Sequence, residues 1–429
     1  MNSLAICHTA LQRVLGGLLF LITLSLPLQA ETALSDTEII AKVEAIHTDA
    51  LVLDAHADIV IPSTSLSYLG EGGVSKVSPE KLTIGGVNAV VMSVAVGPGP
   101  RTSEGDAEAR TIANEKLAAA LKLVDDSNGE VVLATSAAEI EAAKAAGNPA
   151  IILGFQNARS LEGDVGVLDY FYDAGVRVFG LNHLGHNDFS DSSRPIYDGS
   201  TKSYEPREEH GGLSPLGIAA IERINALGGV VDISQMSKAA ALQAISSSRS
   251  PVIASHSNVR AISNVTRNLS DEEIDLIGEK GGVIHVAAFG AYLVALSDPD
   301  TLAAVKAVRV KAGLPEEYSY PYELYWELED PTAQRAFLVE MRSTIGRGSV
   351  SDMIAHIDYI VDRIGTDHVG IGNDFNHGSS VEGYADASEA LNVTIALVQA
   401  GYSAEDIQKI WGGNFLRVLK EAEHGATID

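Results

Sequence analysis

The chain is poor in cysteine, in basic residues and in long apolar runs, and each shortage excludes something. Cys7 is the only cysteine in 429 residues, so no disulfide can form within the chain and a disulfide framework is excluded. Basic residues number 30 against 57 acidic ones, a formal net charge of −27. Nucleic acids and anionic membrane surfaces are bound by basic patches, so this balance argues against both as partners. No internal repeat and no low-complexity linker divides residues 31–429. What is present is a 46% hydrophobic fraction, enough for a large core, and this excludes wholesale disorder.

One apolar run stands apart, VLGGLLFLITLSL at 14–26. It is shorter than the ~20 residues of a membrane span. Arg13 is the only charged residue of 1–30, and the segment ends in SLPLQA before the acidic ETALSDTE. This pattern predicts a secretory signal peptide over 1–30. It implies export, with the bacterial periplasm as the preferred compartment, and no membrane span after cleavage. Cys7 would leave with the leader.

Short apolar runs follow: LVLDAH (51–56), NAVVMSVAV (88–96), AIILGF (150–155), VRVFGLN (176–182), GVVDIS (229–234), PVIASH (251–256), GVIHVAAF (282–289) and HVGIGND (368–374). Nearly continuous apolar strands indicate a parallel sheet covered on both faces. Segments of helical period separate them, such as LGIAAIERINAL and SDMIAHIDYIVDRI. Eight such units predict an α/β fold, a (β/α)8 TIM barrel occupying 31–429 as one domain. A long insertion at 290–347 falls between strands 7 and 8. Its PEEYSYPYELYWELEDP suits a lid, an oligomer contact or an extra helical pair packed on the barrel.

Catalytic residues of such barrels come from the C-terminal ends of the strands. Here those ends carry His56 and Asp58, Gln156 and Asn157, His183, Gln235, His256 and Asp374. Each has a structural explanation taken alone, but their convergence on one mouth points to a functional site. Two imidazoles and two carboxylates suit zinc or a similar divalent ion, which activates water for attack on a carbonyl. Asp374 would move the proton and neutral His183 would stabilise the oxyanion.

With these residues in place, the chain resembles the membrane (renal) dipeptidases of the metal-dependent amidohydrolase superfamily. The matching stretches include LVLDAHADIVIP, PVIASHSNVRAI, TRNLSDEEIDLI and HIDYIVDRIGTDHVGIGNDF. The resemblance implies a (β/α)8 barrel with two zinc ions bridged by a glutamate, hydrolysis of dipeptides, and homodimers. It implies that His56 and Asp58 ligate the first zinc and His256 the second. It places His183 on the tetrahedral intermediate, Arg267 on the substrate carboxylate, and Asp374 on the proton and the amine.

Two positions depart from the family. Gln156 stands where the bridging glutamate is expected, and Gln235 where the other second-site histidine is expected. A neutral amide is a weak ligand, so Gln156 and Gln235 are doubtful metal ligands. The expectation is one zinc near His56, Asp58 and Asp374, with a metal-free barrel as the alternative. His186, His210 and His377 are candidate replacement ligands, although their place in loops predicts solvent exposure. The leading reading is a secreted dipeptidase-like metallohydrolase acting on a dipeptide or short peptide-like amide. Its rivals are an amidohydrolase for a lactone or peptide-derived natural product, and a non-hydrolytic periplasmic binding or maturation protein.

Overall fold

Eight short parallel strands make the core: β1 (Leu53–Asp58), β2 (Ala89–Ala95), β3 (Ala150–Gln156), β4 (Val176–Gly180), β5 (Val230–Asp232), β6 (Ile253–Ala254), β7 (Val283–Val286) and β8 (Val369–Ile371). Each pairs in parallel with the next, and each overlaps one of the predicted apolar runs. The ring closes where Asp374 N donates to His56 O at 2.9 Å and Asp58 N donates to Phe375 O at 2.8 Å. The fold is therefore a (β/α)8 TIM barrel. This computed structural model describes residues 36–316 and 327–427. The barrel belongs to the compact unit Ala41–Asp429. The expected leader, 1–30, lies outside the described residues.

Helices on the outer face include α1 (Pro79–Ile84), α2 (Ser103–Asp126), α3 (Val167–Asp173), α4 (Pro215–Leu227), α5 (Lys238–Ser247) and α6 (Asp271–Glu279). Their ends are set by local chemistry. Before α4, Ser214 accepts from Gly217 N and Pro215 takes the first helical position; after it, Gly228 turns left-handed at φ 80°.

The insertion after β7 holds α7 (Pro299–Lys311) and α8 (Pro331–Ile345), ahead of α9 (Val350–Ile364). A reciprocal capping box starts α9, in which Ser349 N donates to Asp352 Oδ2 at 2.8 Å and Asp352 N to Ser349 Oγ at 3.2 Å. Val305 and Val308 of α7 pack with Phe337 and Met341 of α8, together with Val265 of a barrel loop and Tyr292 from the start of the insertion. Of the three readings of the insertion, the described residues form the helical pair. Most of its Tyr- and Trp-rich segment, 317–326, lies outside them.

The C-terminal helix α10 (Asn414–His424) determines which end of the barrel is open. Its Phe415, Val418 and Leu419 pack with Leu53, Val91, Ile152, Val178, Ile253 and Val283 from the lower barrel interior. Full burial of such a side chain contributes about 1.5–3 kcal/mol. The apolar plug seals the N-terminal end, so the polar strand ends face an open mouth opposite it.

Candidate active site

The site begins with an irregularity in β1. Leu53 and Ala55 belong to the barrel interior, and simple alternation would turn Ala57 inward and His56 outward. The register between β1 and β2 shifts between Asp54 and Ala57, and Ala57 packs instead in the outer core. The shift turns His56 and Asp58, two residues apart on one face, into the mouth, as bulges beside active sites do. Buried Asp54 anchors the same stretch, accepting from Asn373 N at 2.8 Å and from His56 N at 3.2 Å.

Across the mouth, Gly372 lies so close to β6 that a Cβ there would fall 1.8 Å from Ser255 O. This approach brings Asp374, with a left-handed φ of 62°, towards His56 and His256. A non-glycine residue held in that conformation stores strain, and such residues cluster at functional sites. Gln235 shares the feature at φ 69°.

The buried His56, His256 and Asp374 can each direct a ligand atom to within 4.8 Å of the others. His56 Nε2 lies 3.6 Å from Asp58 Oδ1 and 3.9 Å from Asp374 Oδ1. Ligand atoms sharing one tetrahedral zinc stand ~3.3–3.6 Å apart. Both His56 Nε2 and Asp58 Oδ1 are buried without a hydrogen-bond partner, a costly arrangement unless something binds them. His56 Nε2, with Asp58 Oδ1 at 3.6 Å and Asp374 Oδ1 at 3.9 Å, is therefore where these residues could hold one divalent ion.

The second position does not fit. Nε2 of His256 faces the amide nitrogens of Gln235 at 3.2 Å and Gln156 at 3.4 Å. The lone pair a second ion would need is already taken by N–H donors. Ser255 accounts for the other side of both rings. Its Oγ lies 2.7 Å from His256 Nδ1 and 3.4 Å from His56 Nδ1, and it donates to Asp232 Oδ2 at 2.5 Å. One donor and two acceptor sites are thus used in full. Such a partner leaves Nε2 of His56 directed at the mouth as a ligand atom.

The charges follow the same geometry. Burial opposes charging His56, but Asp58, Asp374 and Asp232 outweigh it and raise its pKa. Burial would raise the Asp58 carboxyl, but Lys116 and His377 hold it well below the usual range. Their contacts are with Oδ2, at 3.4 Å from Lys116 Nζ and 3.1 Å from His377 Nδ1. Burial raises Asp374, and the nearby Asp58 charge adds to the effect. Burial, with His377 and Arg194 assisting, drives His183 well below its ordinary value, so it is neutral at pH 7. Burial and the His56 charge do the same for His256.

A cavity of about 280 Å³ opens on Asp58, Lys116, His183 and His377, with Ile59, Ile61 and Ile112 on its apolar side. Arg267 is buried and does not line it. Its guanidinium donates to Ser257 Oγ at 3.0 Å and to His256 O at 2.5 Å.

Of the three loop histidines, only His377 reaches the ligand set. His186 is buried rather than exposed, because its ring accepts from Ser192 N at 3.0 Å and lies 2.7 Å from Pro206 O. His210 is half-buried against Asn187 O at 2.9 Å. Sequence reasoning missed Lys116 and Arg194. The signal for Lys116 was legible, since it shares the buried face of α2 with Ala113, Leu117 and Ala120. Arg194 lies in an irregular loop, where no periodicity marks it.

The model of the membrane dipeptidase family, peptidase family M19, matches residues 40–427. The dipeptidase aclJ of Aspergillus oryzae is 29% identical over 278 residues, covering 64% of this chain and 52% of that protein. The dipeptidase tcpJ of Claviceps purpurea is also 29% identical, covering 66% of this chain and 53% of its own. The chain thus spans about half the length of these fungal relatives. Among solved structures, the probable dipeptidase PvdM from Pseudomonas aeruginosa superposes with a TM-score of 0.81 at 33% identity, covering 91% of this chain and 100% of that one. A fold, a strand-end constellation and a sequence match that runs almost from end to end thus agree, and the chain belongs to the membrane dipeptidase family, M19.

Proposed function

We propose that the protein is a secreted, periplasmic dipeptidase-like hydrolase that uses one zinc ion and cleaves a dipeptide or short peptide-like amide. The observation that carries this reading is a pair of buried atoms without a hydrogen bond, His56 Nε2 and Asp58 Oδ1, held 3.6 Å apart near Asp374 and beside a cavity sized for a small ligand. Export rests on the leader-like residues 1–30. A divalent ion held by His56, Asp58 and Asp374 would supply the positive charge that acidifies an attacking water and polarises the scissile carbonyl.

The remaining work falls to the chain. Asp374, whose pKa is raised, takes the proton of the attacking water and returns it to the departing amine. Neutral His183 donates a hydrogen bond to the carbonyl oxygen as charge builds there. The test is turnover of a dipeptide panel by protein with a counted metal content. Activity that tracks one equivalent of zinc supports the reading; full turnover without any ion sinks it.

A second reading, a receptor for a peptide-like ligand, is favoured by one observation: Lys116 and His377 already neutralise Asp58 from within the chain. Ligand binding with no turnover and no stoichiometric ion would decide for it.

A further inference from the structure

A single-sense hydrogen-bonded chain crosses the floor of the mouth. Arg194 Nη2 donates to Gln235 Oε1 at 2.5 Å. Gln235 Nε2 faces His256 Nε2 at 3.2 Å, His256 Nδ1 faces Ser255 Oγ at 2.7 Å, and Ser255 Oγ donates to Asp232 Oδ2 at 2.5 Å. A guanidinium has donors only, so the atom of Gln235 turned towards Arg194 has to be oxygen. The amide nitrogen is thereby directed at His256, which has to accept at Nε2 and donate at Nδ1. Every member from the buried cation to the buried carboxylate is satisfied in one direction, and such chains reinforce one another.

From this we infer that Arg194 is a positioning residue that limits the site to one metal ion. It does so in two ways. It locks the Gln235 amide with N–H groups rather than the carbonyl facing His256. It also keeps a permanent positive charge on the far side of the amide that faces His256 Nε2, where it would oppose a further cation beside that ring. Arg194 is itself buried and held on its other side, where Nη1 donates to Tyr292 Oη at 2.7 Å, so it cannot move away cheaply. Replacing Gln156 and Gln235 with ionisable ligands is on this account insufficient to admit a second ion while Arg194 remains. The inference rests on the reading of the mouth as a cation site but not on hydrolysis.

The experiment counts zinc per chain, by elemental analysis after zinc loading and dialysis, in three variants shown by circular dichroism to be folded. Gln156→Glu/Gln235→His is expected to bind no more ions than the unaltered protein. Adding Arg194→Met is expected to raise the count by one, and adding Arg194→Lys instead, which keeps the charge, to leave it unchanged. Should the methionine variant fail to fold, Arg194→Gln removes the charge and retains a side chain that bonds to its neighbours. An extra ion with Arg194 in place, or none after its neutralisation, overturns the proposal. The result is a difference between variants, so an unaltered protein without any ion would count against the hydrolase reading and leave this comparison intact.

Discussion

Nδ1 of His377 lies 3.1 Å from Oδ2 of Asp58, on the opposite side of the carboxylate from Oδ1, which lies 3.6 Å from His56 Nε2. The ammonium of Lys116 shares Oδ2 at 3.4 Å. Asp58 thus has one oxygen directed at the proposed ion and one engaged by cations of the chain. Lys116 opposes a dication by repulsion and by competing for Asp58. Lys116→Met is therefore expected to tighten zinc binding about tenfold, ~1.4 kcal/mol, as measured by chelator competition. Weaker binding would mean that the ammonium orients Asp58 rather than competing for it.

Asp374→Asn keeps the shape of the side chain and removes its capacity to carry a proton. Loss of a positioned acid–base group lowers kcat by roughly 10²–10⁴. That loss is expected on any dipeptide the protein turns over, while an exposed change such as Lys122→Gln leaves kcat within a factor of two. A thermal melt of Asp374→Asn checks that the fold survives. Equal turnover in the two variants would remove Asp374 from the reaction.

Removing the metal is expected to cost stability as well as activity. A ligand that binds only the native state adds about 2.7 kcal/mol at one hundred times its Kd. Treatment with a chelator should lower the melting temperature by several degrees and abolish turnover, and one equivalent of zinc should restore both. A melting curve indifferent to chelator would count against an ion bound among His56, Asp58 and Asp374.

Two histidines away from the ligand set make the fold acid-sensitive. His285 lies against Ala254 O at 3.2 Å, and His356 accepts from Val259 N at 2.9 Å and faces Leu293 O at 3.0 Å. Burial pushes both from 6.5 down to about 4. The unfolded chain takes up these protons first, so the stability is present in full above pH 6.5 and is lost as the pH falls towards 4. Each contributes on the order of 3 kcal/mol across that window. Urea denaturation at pH 7.5, 6 and 5 should show the decline, and His285→Leu should flatten it. An unchanged slope in that variant would assign the sensitivity to other groups.

The sequence by itself determined the barrel and the identities of the residues at its mouth. Eight apolar runs such as AIILGF and GVIHVAAF bury both faces and admit few arrangements besides a covered parallel sheet, and strand ends are countable along a chain. The resemblance to the dipeptidase family also exposed Gln156 and Gln235 as departures, because a glutamine where that family places a ligand is visible without coordinates. What only the tertiary structure decided is how those side chains are turned and paired. Alternation along β1 would send His56 outward, and a one-residue register shift against β2 reverses it. Lys116, 58 residues from Asp58 along the chain, becomes its partner only because α2 packs against the barrel. The two glutamines changed meaning in the same way. In sequence they are weak ligands, but in the folded chain Arg194, 41 residues from Gln235, turns that amide into a donor to His256. Hydrogen-bond direction depends on which neighbours arrive from distant segments, and local sequence carries no record of them.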